Sequence, residues 1–407
     1  MQQRWNGLAE SRKQALLTAG ILFLLAPFFE PGYVSVCVPP ARAVYNIGQV
    51  LSTLIVFALF ARNLIRRRRL SKTAMALIIL EGWMGMDVLI HQGVHKAAFL
   101  GIISVTVVCM LIEVMVDEGH AAEMLEGFLL LYEILIGLNL VTMLIWPGGL
   151  YHTPMQSWDN WFIGYRNMFI YFFLPGMSLE LVGAIQRKKY LRFYLALAVC
   201  VASMVMGGSA TGLVSILLFA LLSVTGLYRW KWINGVSVTA AWLAAFFAIV
   251  VFKVQTLMQP ILDLLGRNAT FTGRTGIWEN TWTAIAQNPI LGYGIQEESV
   301  RTQVTGNAVG ITAHNMIFEQ WYCFGVIGLL LLAVLIGMCA WSLFQCRGKR
   351  QAGALCIGLG CFFVVMLFEG ELNNIPLMSF LYICALAHRL IEQDSGTEEP
   401  EVQKAAS

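Results

Sequence analysis

Long apolar runs, separated by short polar connections, account for most of the chain. Most of these runs are long enough to cross a bilayer as a helix, which needs about 20 residues. They are continuous and do not alternate with polar positions, so we do not expect a membrane β-barrel. The pattern predicts an all-α polytopic membrane protein with about twelve spans in one integral domain at 1–391. The predicted spans are 15–36, 46–64, 72–92, 97–116, 124–146, 161–184, 190–207, 209–228, 232–253, 316–344, 352–369 and 377–391. The tight turn Gly207-Gly208-Ser209 joins the seventh and eighth spans, which are therefore expected to form a hairpin.

Composition strengthens this prediction. Of the 407 residues, 58% are hydrophobic and 13% are charged, whereas soluble domains carry about 25% charged residues. The nine cysteines lie mostly inside apolar runs and form no C-x-x-C pair and no zinc-type cluster. We therefore interpret them as small apolar residues. We expect membrane lipid, and no nucleic acid, among the partners.

The distribution of lysine and arginine predicts the orientation. Basic clusters occur at 66–69, 187–189, 229–231 and 347–350. With twelve spans and a cytoplasmic N-terminus, all of these clusters lie on the cytoplasmic side, as the positive-inside rule requires. Both termini are therefore predicted to be cytoplasmic in a bacterial inner membrane.

The same topology exports the longest polar segment, about 254–315, which connects spans nine and ten. A shorter outer loop at 147–160 is rich in glycine, tryptophan and histidine. On the opposite side, the polar and acidic tail at 392–407 is expected to be disordered.

The long outer segment contains a predicted amphipathic helix. Trp278 and Trp282 recur at helical spacing. Thr272 or Thr275 can cap the start of the helix, and Asn288-Pro289 ends it. We expect this helix to lie along the outer membrane surface, with its tryptophans at the depth of the lipid headgroups.

Arg274 stands at the first turn of this predicted helix. A cation is unfavourable there by about 0.3–1 kcal/mol, unless an anion binds at the helix N-terminus. A guanidinium group matches phosphate oxygens in geometry, and flanking glycines leave room for a ligand. The alternative is a salt bridge to Glu279, Glu297 or Glu298.

Two further polar residues lie close to predicted span ends. His314, followed by Asn315, stands where span ten leaves the membrane, and histidine exchanges protons near neutral pH. A solvated interface histidine is the alternative. Arg166 lies inside predicted span six, about one or two helical turns below its outer end, where a charge usually faces a cavity or a partner. The alternative for Arg166 is an ion pair with an intramembrane acid, namely Glu81, Asp87, Glu113 or Glu133.

Taken together, these residues resemble the motif set of the O-antigen ligase and polymerase family of bacterial membrane proteins. The stretch 207–215 also resembles the serine-rich turn of that family, although the usual arginine of the turn is Ala210 here. The motif set comprises Gly273-Arg274-Thr275 with Trp278, then Asn288-Pro289, Leu291-Gly292 and Gly294, then His314-Asn315 with Gly325 and Gly328.

The resemblance implies a glycosyltransferase that uses neither a metal nor another cofactor. Such an enzyme takes a glycan from undecaprenyl diphosphate and passes it to an acceptor hydroxyl on a glycan or lipid-linked glycan. It implies that Arg166 and Arg274 bind the diphosphate and that His314 is the base. To substrate binding we further assign Arg267, Thr275, Trp278, Asn315 and Glu298.

Several functional alternatives remain open at this stage. A repeat-unit polymerase is slightly favoured, but a ligase acting on a lipid A core or a protein-glycosylating enzyme fits the same residues. A secondary transporter of a small anion would also have twelve spans, but it should show two matching halves, and no internal repeat is visible. A sensor or scaffold without catalysis is the third class.

Overall fold

A computed structural model describes residues 2–91, 95–153, 156–254, 273–307 and 312–396. Helices form almost all of the described structure, as the apolar runs predicted. The helices are α1 Gln2–Leu25, α2 Gly32–Cys37, α3 Pro39–Arg67, α4 Lys72–His91, α5 His95–Glu118, α6 Ala121–Ile145, α7 Phe169–Arg187, α8 Leu191–Gly207, α9 Ala210–Val224, α10 Gly235–Phe246, α11 Arg274–Gln287, α12 Glu298–Thr305, α13 Met316–Gln345, α14 Arg350–Phe368, α15 Ile375–Ala385 and α16 Ala387–Gly396.

Seven of the described helices are long and apolar enough to cross a membrane, and an eighth span forms if the bent pair α15 and α16 is one element. Three further apolar helices, α8, α9 and α10, are shorter; α10 continues as a π-helix over Phe247–Val251. The structure confirms an α-helical membrane protein, while the count of twelve spans stays a prediction. The last helix extends to Gly396, so the predicted tail begins in helical conformation; residues 397–407 lie outside the described part.

The predicted hairpin of spans seven and eight is confirmed. Helix α8 ends at Gly207, and Gly208 adopts a left-handed conformation with φ of +69°. Ser209 then caps α9, because its Oγ accepts a hydrogen bond from the backbone N–H of Gly212. The short turn holds the ends of both helices together.

The loop at 147–160 contains a small β-hairpin within the otherwise helical structure. Strand β1 covers Tyr151–Thr153 and pairs antiparallel with β2 over Gln156–Asn160. Four of the five residues of β2 are polar, so one small hairpin can form at the surface without a second sheet to cover it.

The centre of the bundle is the contact between α7 and α14, both almost entirely buried. Gly358 makes this contact possible, since a Cβ atom there would lie 1.9 Å from Oγ of Ser178. Small residues allow membrane helices to approach closely and so gain packing energy. This buried helix pair holds in place the residues that precede α7 and follow α14.

The return loop after α11 is bound into a break in α13. Gly325 interrupts the helix with φ of +64°, and a side chain there would collide with the carbonyl of Ile290. The backbone N–H groups of Tyr293 and Gly294 donate to the carbonyls of Tyr322 and Cys323, each at 2.8 Å. The glycines of this motif are therefore explained by close backbone packing.

Intramembrane acids pair with bases other than Arg166. Glu113 accepts from Arg389 at 2.8 Å, and Glu133 accepts from Arg192. These ion pairs connect neighbouring helices. Glu113 and Glu133, two of the acids proposed as partners of Arg166, are therefore bound to other arginines.

Candidate active site

A cavity of about 680 Å³ opens at the end of the bundle that is predicted to face outward. It lies where six chain segments meet: the turn before α7, the α8–α9 turn, the start of α11, the turn after α12, the segment before α13 and the connection after α14. The cavity is lined by Arg166, Asn167, Gly208, Ser209, Ala210, Thr211, Gly273, Arg274, Gly276, Ile277, Asn280, Gly306, Asn307, His314 and Glu369.

Glu369, the residue that follows α14, is the centre of the polar contacts in this cavity. Its Oε1 accepts a hydrogen bond from Nη2 of Arg274 at 2.7 Å, and its Oε2 lies 3.2 Å from Nδ1 of His314. Asn167 donates a weaker bond to Oε1 at 3.3 Å. One carboxylate thus connects the arginine and the histidine that the sequence analysis selected separately.

The sequence analysis missed Glu369. The residue stands at the end of predicted span eleven, in the stretch Phe-Glu-Gly-Glu. An acid at the end of a span is normally solvated, so its position carried no signal. In the fold its side chain is only 9% exposed, and a buried carboxylate requires partners of the kind found here.

Arg274 occupies the first position of α11, where it was predicted. The N-cap is Gly273 in a left-handed conformation with φ of +86°, so the expected cap by Thr275 is wrong; Thr272 lies outside the described residues. The guanidinium group also lies over the ring of Phe368 at 5.9 Å. The alternative salt bridge to an acid of the outer segment is wrong as well, because Arg274 pairs with Glu369.

His314 is held in an uncommon backbone conformation, with φ of +48°. Its backbone N–H donates to Oγ1 of Thr312, and its carbonyl accepts from the indole N–H of Trp278 at 3.4 Å. A non-glycine residue in the left-handed region costs about 1–3 kcal/mol and persists where its surroundings fix it. The conformation directs the imidazole toward Glu369.

A buried ion pair fixes the segment before His314. Arg301 of α12 donates two hydrogen bonds to Glu319 of α13, at 2.8 and 2.7 Å. Glu319 also accepts from the backbone N–H of Ala313 at 2.6 Å. Because a bidentate pair has a defined geometry, the residue next to His314 is attached to both helices.

Asn315 is fully buried and holds the start of α13. Its side-chain oxygen accepts from the backbone N–H groups of Ile317 and Phe318, each at 3.1 Å. Its amide donates to the carbonyl of Leu367 at 3.1 Å. The described contacts of the Asn315 side chain are thus to backbone groups next to His314 and at the end of α14, and its assignment to substrate binding stays a prediction.

Arg166 lies outside a helix, which corrects the predicted position inside a span. Helix α7 begins only at Phe169, and Arg166 is exposed in the preceding turn. Its Nε donates to the hydroxyl of Tyr165 at 3.2 Å, and its Nη1 makes a long contact of 3.5 Å with the carbonyl of Gly207. Within the described ranges, Arg166 takes part in no ion pair, so the structural alternative is wrong and its charge faces the cavity.

The remaining predicted residues that the structure describes do not line the cavity. Trp278 is buried below it, Thr275 is half-buried, and Glu298 is exposed at the start of α12. Arg267 falls outside the described residues. Ser209 does reach the cavity and donates to Asn167 at 2.8 Å, so the hydroxyl next to Ala210 belongs to the same polar network.

The connection between α14 and α15 places a second acid beside Glu369. Glu371 is enclosed by protein except for a small part of its surface. Burial, together with the negative charges of Glu369 and Glu319, raises its pKa to about 7. Near neutral pH this group can therefore change the charge next to the cavity by one unit.

An apolar groove of about 820 Å³ lies between α10 and α13 and reaches α11. Its walls include Trp242 and Phe246 of α10, Phe318 of α13, and Trp278 and Trp282 of α11. Trp278 is one helical turn from Arg274, so the groove and the polar cavity are neighbours along the same helix.

In the part of the chain that the structure describes, no group of three or more His, Cys, Asp or Glu side chains is arranged to hold a metal ion. The charged or titratable residues that line the cavity are Arg166, Arg274, His314 and Glu369. The carboxylate of Glu369 contacts Arg274 and His314.

A family comparison covers the central part of this site. A family model described as O-antigen ligase matches residues 195–333, a segment that runs from α8 into α13. It contains Arg274 and His314, while Arg166 and Glu369 lie on either side of it. A search of curated proteins returned no match. Residues 195–333 are therefore similar to the O-antigen ligase family, and they lie in a chain with several helices that are apolar enough to span a membrane.

Proposed function

We propose that the protein transfers a glycan from undecaprenyl diphosphate to an acceptor hydroxyl at the outer face of the bacterial inner membrane. The observation that carries this proposal is the shared carboxylate: Glu369 bonds Arg274 and His314 in one cavity, and Arg166 faces the same space. A cation for a phosphate and an oriented base for a hydroxyl are the two groups that such a transfer needs.

The two arginines suit a diphosphate leaving group. As the bond between sugar C1 and the phosphate oxygen breaks, its electron pair stays with the diphosphate, which gains negative charge. Positive groups that are already oriented toward this charge lower the barrier without reorganisation. Arg274 uses Nη2 for Glu369, so its guanidinium group has further N–H donors for phosphate oxygens. The N-terminus of α11 adds a favourable dipole at the same place.

His314 suits the role of general base. When Nδ1 carries the hydrogen and donates a hydrogen bond to Glu369, Nε2 has a free lone pair. This lone pair can accept a proton from the acceptor hydroxyl. The acceptor oxygen then forms the new bond to C1, and Glu369 stabilises the imidazolium that results. A positioned base of this kind contributes about 10²- to 10⁴-fold to the rate.

The apolar groove between α10 and α13 suits the polyprenyl chain of the donor. It is lined almost entirely by aliphatic and aromatic side chains, which a hydrocarbon chain contacts favourably. Because Trp278 lines the groove one turn from Arg274, a chain in the groove can present its diphosphate to the cavity.

The test separates binding from chemistry. Arg274→Ala should weaken donor binding and also slow the reaction, because the diphosphate is charged before the transition state and more so within it. His314→Ala should leave the donor Kd nearly unchanged and lower the single-turnover rate by about 10²- to 10⁴-fold. Glu297→Gln is a matched control, since Glu297 is exposed and outside the cavity.

The measurement is a lipid-donor Kd and a single-turnover rate for each purified variant. If His314→Ala abolishes donor binding but leaves the rate of bound donor unchanged, His314 is a phosphate ligand and another base is required. If the parent protein transfers no glycan from the lipid donor, the proposed function itself fails.

A further inference from the structure

The outer hairpin holds one tryptophan in a position that the proposed transfer chemistry does not explain. Trp158 lies in β2, where it is flanked by Gln156-Ser157 and Asp159-Asn160, and it is 48% exposed. A large aromatic ring so exposed on a polar strand has no packing role on its open face.

The ring of Trp158 is nevertheless fixed. It stacks on the ring of Tyr165, with centroids 4.7 Å apart and an angle of 28° between the planes. Tyr165 is bound to the hairpin by a β-bridge to Asn160. The carbonyl of Trp158 accepts a hydrogen bond from the Asn160 side chain at 2.8 Å. One ring face is therefore covered and oriented, and the other is available.

This stack leads directly into the cavity. The guanidinium carbon of Arg166 lies 5.6 Å from the centre of the Tyr165 ring, and Arg166 Nε bonds the Tyr165 hydroxyl. Trp158, Tyr165 and Arg166 thus form a continuous series of planar groups from the solvent-exposed hairpin to the proposed diphosphate site. A ring stacked on the open face of Trp158 would lie at the outer end of this series, on the side away from Tyr165.

We propose that Trp158, supported by Tyr165, is a stacking platform for a pyranose ring of the acceptor glycan. The negative face of an aromatic ring attracts the C–H groups on one side of a sugar, and a ring fixed in advance loses little entropy on binding. This inference rests on the proposed function and deepens it, because it makes the acceptor a carbohydrate and not a protein hydroxyl.

The surrounding residues argue against a membrane anchor. Interfacial tryptophans belong to amphipathic helices or span ends with apolar neighbours. Trp158 stands between polar residues of a strand, and one of its faces is occupied by Tyr165. An anchor would need hydrophobicity alone, whereas a platform needs a flat aromatic face.

The experiment compares Trp158→Leu with Trp158→Phe, so that apolar character is kept while the aromatic face is removed or retained. The probe is the cell's own lipid-linked glycan, released from its carrier by mild acid and labelled with a fluorophore at its reducing end. Binding is measured by fluorescence anisotropy in a His314→Ala background, which separates it from transfer. Trp232→Ala serves as the control, since Trp232 is 76% exposed on the opposite, predicted cytoplasmic side.

Trp158→Leu should weaken glycan binding by about tenfold, which corresponds to the loss of one aromatic contact, and Trp158→Phe by less than about threefold. The melting temperature should be the same for both variants. The inference is overturned if Trp158→Leu binds the glycan as tightly as the parent, if both variants are equally impaired, or if the parent binds no glycan.

The inference and the proposed function fail in different ways. An acceptor KM that is unaffected by Trp158→Leu, in a protein that transfers glycan, overturns the platform and leaves the function intact. If glycan binding depends on Trp158 but the protein transfers no glycan, the stacking platform is supported and the proposed transferase function fails.

Discussion

Nδ1 of His314 lies 3.2 Å from Oε2 of Glu369, although 55 positions separate the two residues in the chain. The carboxylate belongs to the connection after α14, and the histidine to the segment before α13. Because the other oxygen of Glu369 accepts from Arg274, this one side chain contacts both the proposed base and the proposed phosphate ligand.

Glu369→Gln should lower turnover by about 10²- to 10⁴-fold while donor binding changes little. An amide can still accept from Arg274, but its NH₂ group beside Nδ1 would favour the tautomer with the proton on Nε2, which can no longer act as a base. Single-turnover rate and donor Kd are the two measurements. Glu297→Gln, at an exposed acid of the outer segment, is the control; full turnover in Glu369→Gln would exclude this role for the carboxylate.

Arg166→Lys should abolish most activity even though the charge is kept. A lysine ammonium is a point charge and cannot bind two phosphate oxygens as a guanidinium does. Membrane abundance and melting temperature should be unchanged, because Arg166 is exposed and its described side-chain contacts are to Tyr165 and to the carbonyl of Gly207. Arg229→Lys, on the predicted cytoplasmic side, provides the matched exchange; an active Arg166→Lys protein would remove Arg166 from the diphosphate site.

Glu371→Gln should stabilise the protein more at pH 8 than at pH 5. The pKa of Glu371 is raised to about 7 in the folded chain, from an ordinary value of 4.5. The folded state therefore keeps a proton that the unfolded state has released, and stability falls as pH rises from about 4.5 to 7. The melting temperature in detergent at several pH values tests this; a gain independent of pH would mean that Glu371 is not protonated at neutral pH.

Transfer by the purified protein should persist in EDTA. The charge of the leaving diphosphate is assigned to Arg166 and Arg274, so a divalent cation has no step to perform. The assay uses matched samples with EDTA, with added Mg²⁺ and with added Mn²⁺. Activity that EDTA removes and either ion restores would contradict the mechanism based on the two arginines.

Reporter fusions test the orientation. A fusion after Arg350 should be cytoplasmic and one near Gln303 external, because the basic clusters would otherwise be translocated. Alkaline phosphatase, active outside, and a green fluorescent protein, fluorescent inside, give complementary readouts at each position. The reverse result at both positions would invalidate the predicted topology and the assignment of the cavity to the outer face.

Local features of the sequence determined most of the helices. Apolar runs predicted the membrane-spanning elements, because a segment without water must satisfy its own backbone hydrogen bonds. The glycines at 207 and 208 predicted the α8–α9 turn, and the spacing of Trp278 and Trp282 predicted α11. Each of these signals lies within a few residues of the structure that it specifies.

The hydrophobicity of predicted span six indicated correctly that its first residues are buried, but it did not indicate that they lie outside a helix. Trp161 and Ile163 are buried as expected, yet they lie in a turn before α7. The backbone N–H of Ile163 donates to the side chain of Asn139 at 3.0 Å, and the indole of Trp161 donates to the carbonyl of Trp146. Partners on another helix satisfy these groups, so the segment needs no helix, and Arg166 is placed in the cavity instead of inside a span.

Only the tertiary structure decided which charged groups meet. Arg274 and His314 could be selected from local patterns, since a cation at a helix N-terminus and a histidine at a span end are unusual by themselves. Glu369 could not, because an acid after a span has the same local appearance whether it is solvated or buried. Its contacts depend on the packing of α14 against α7 and on the ion pair that fixes the segment before α13. Those are contacts between residues far apart in the chain, and no short stretch of sequence encodes them.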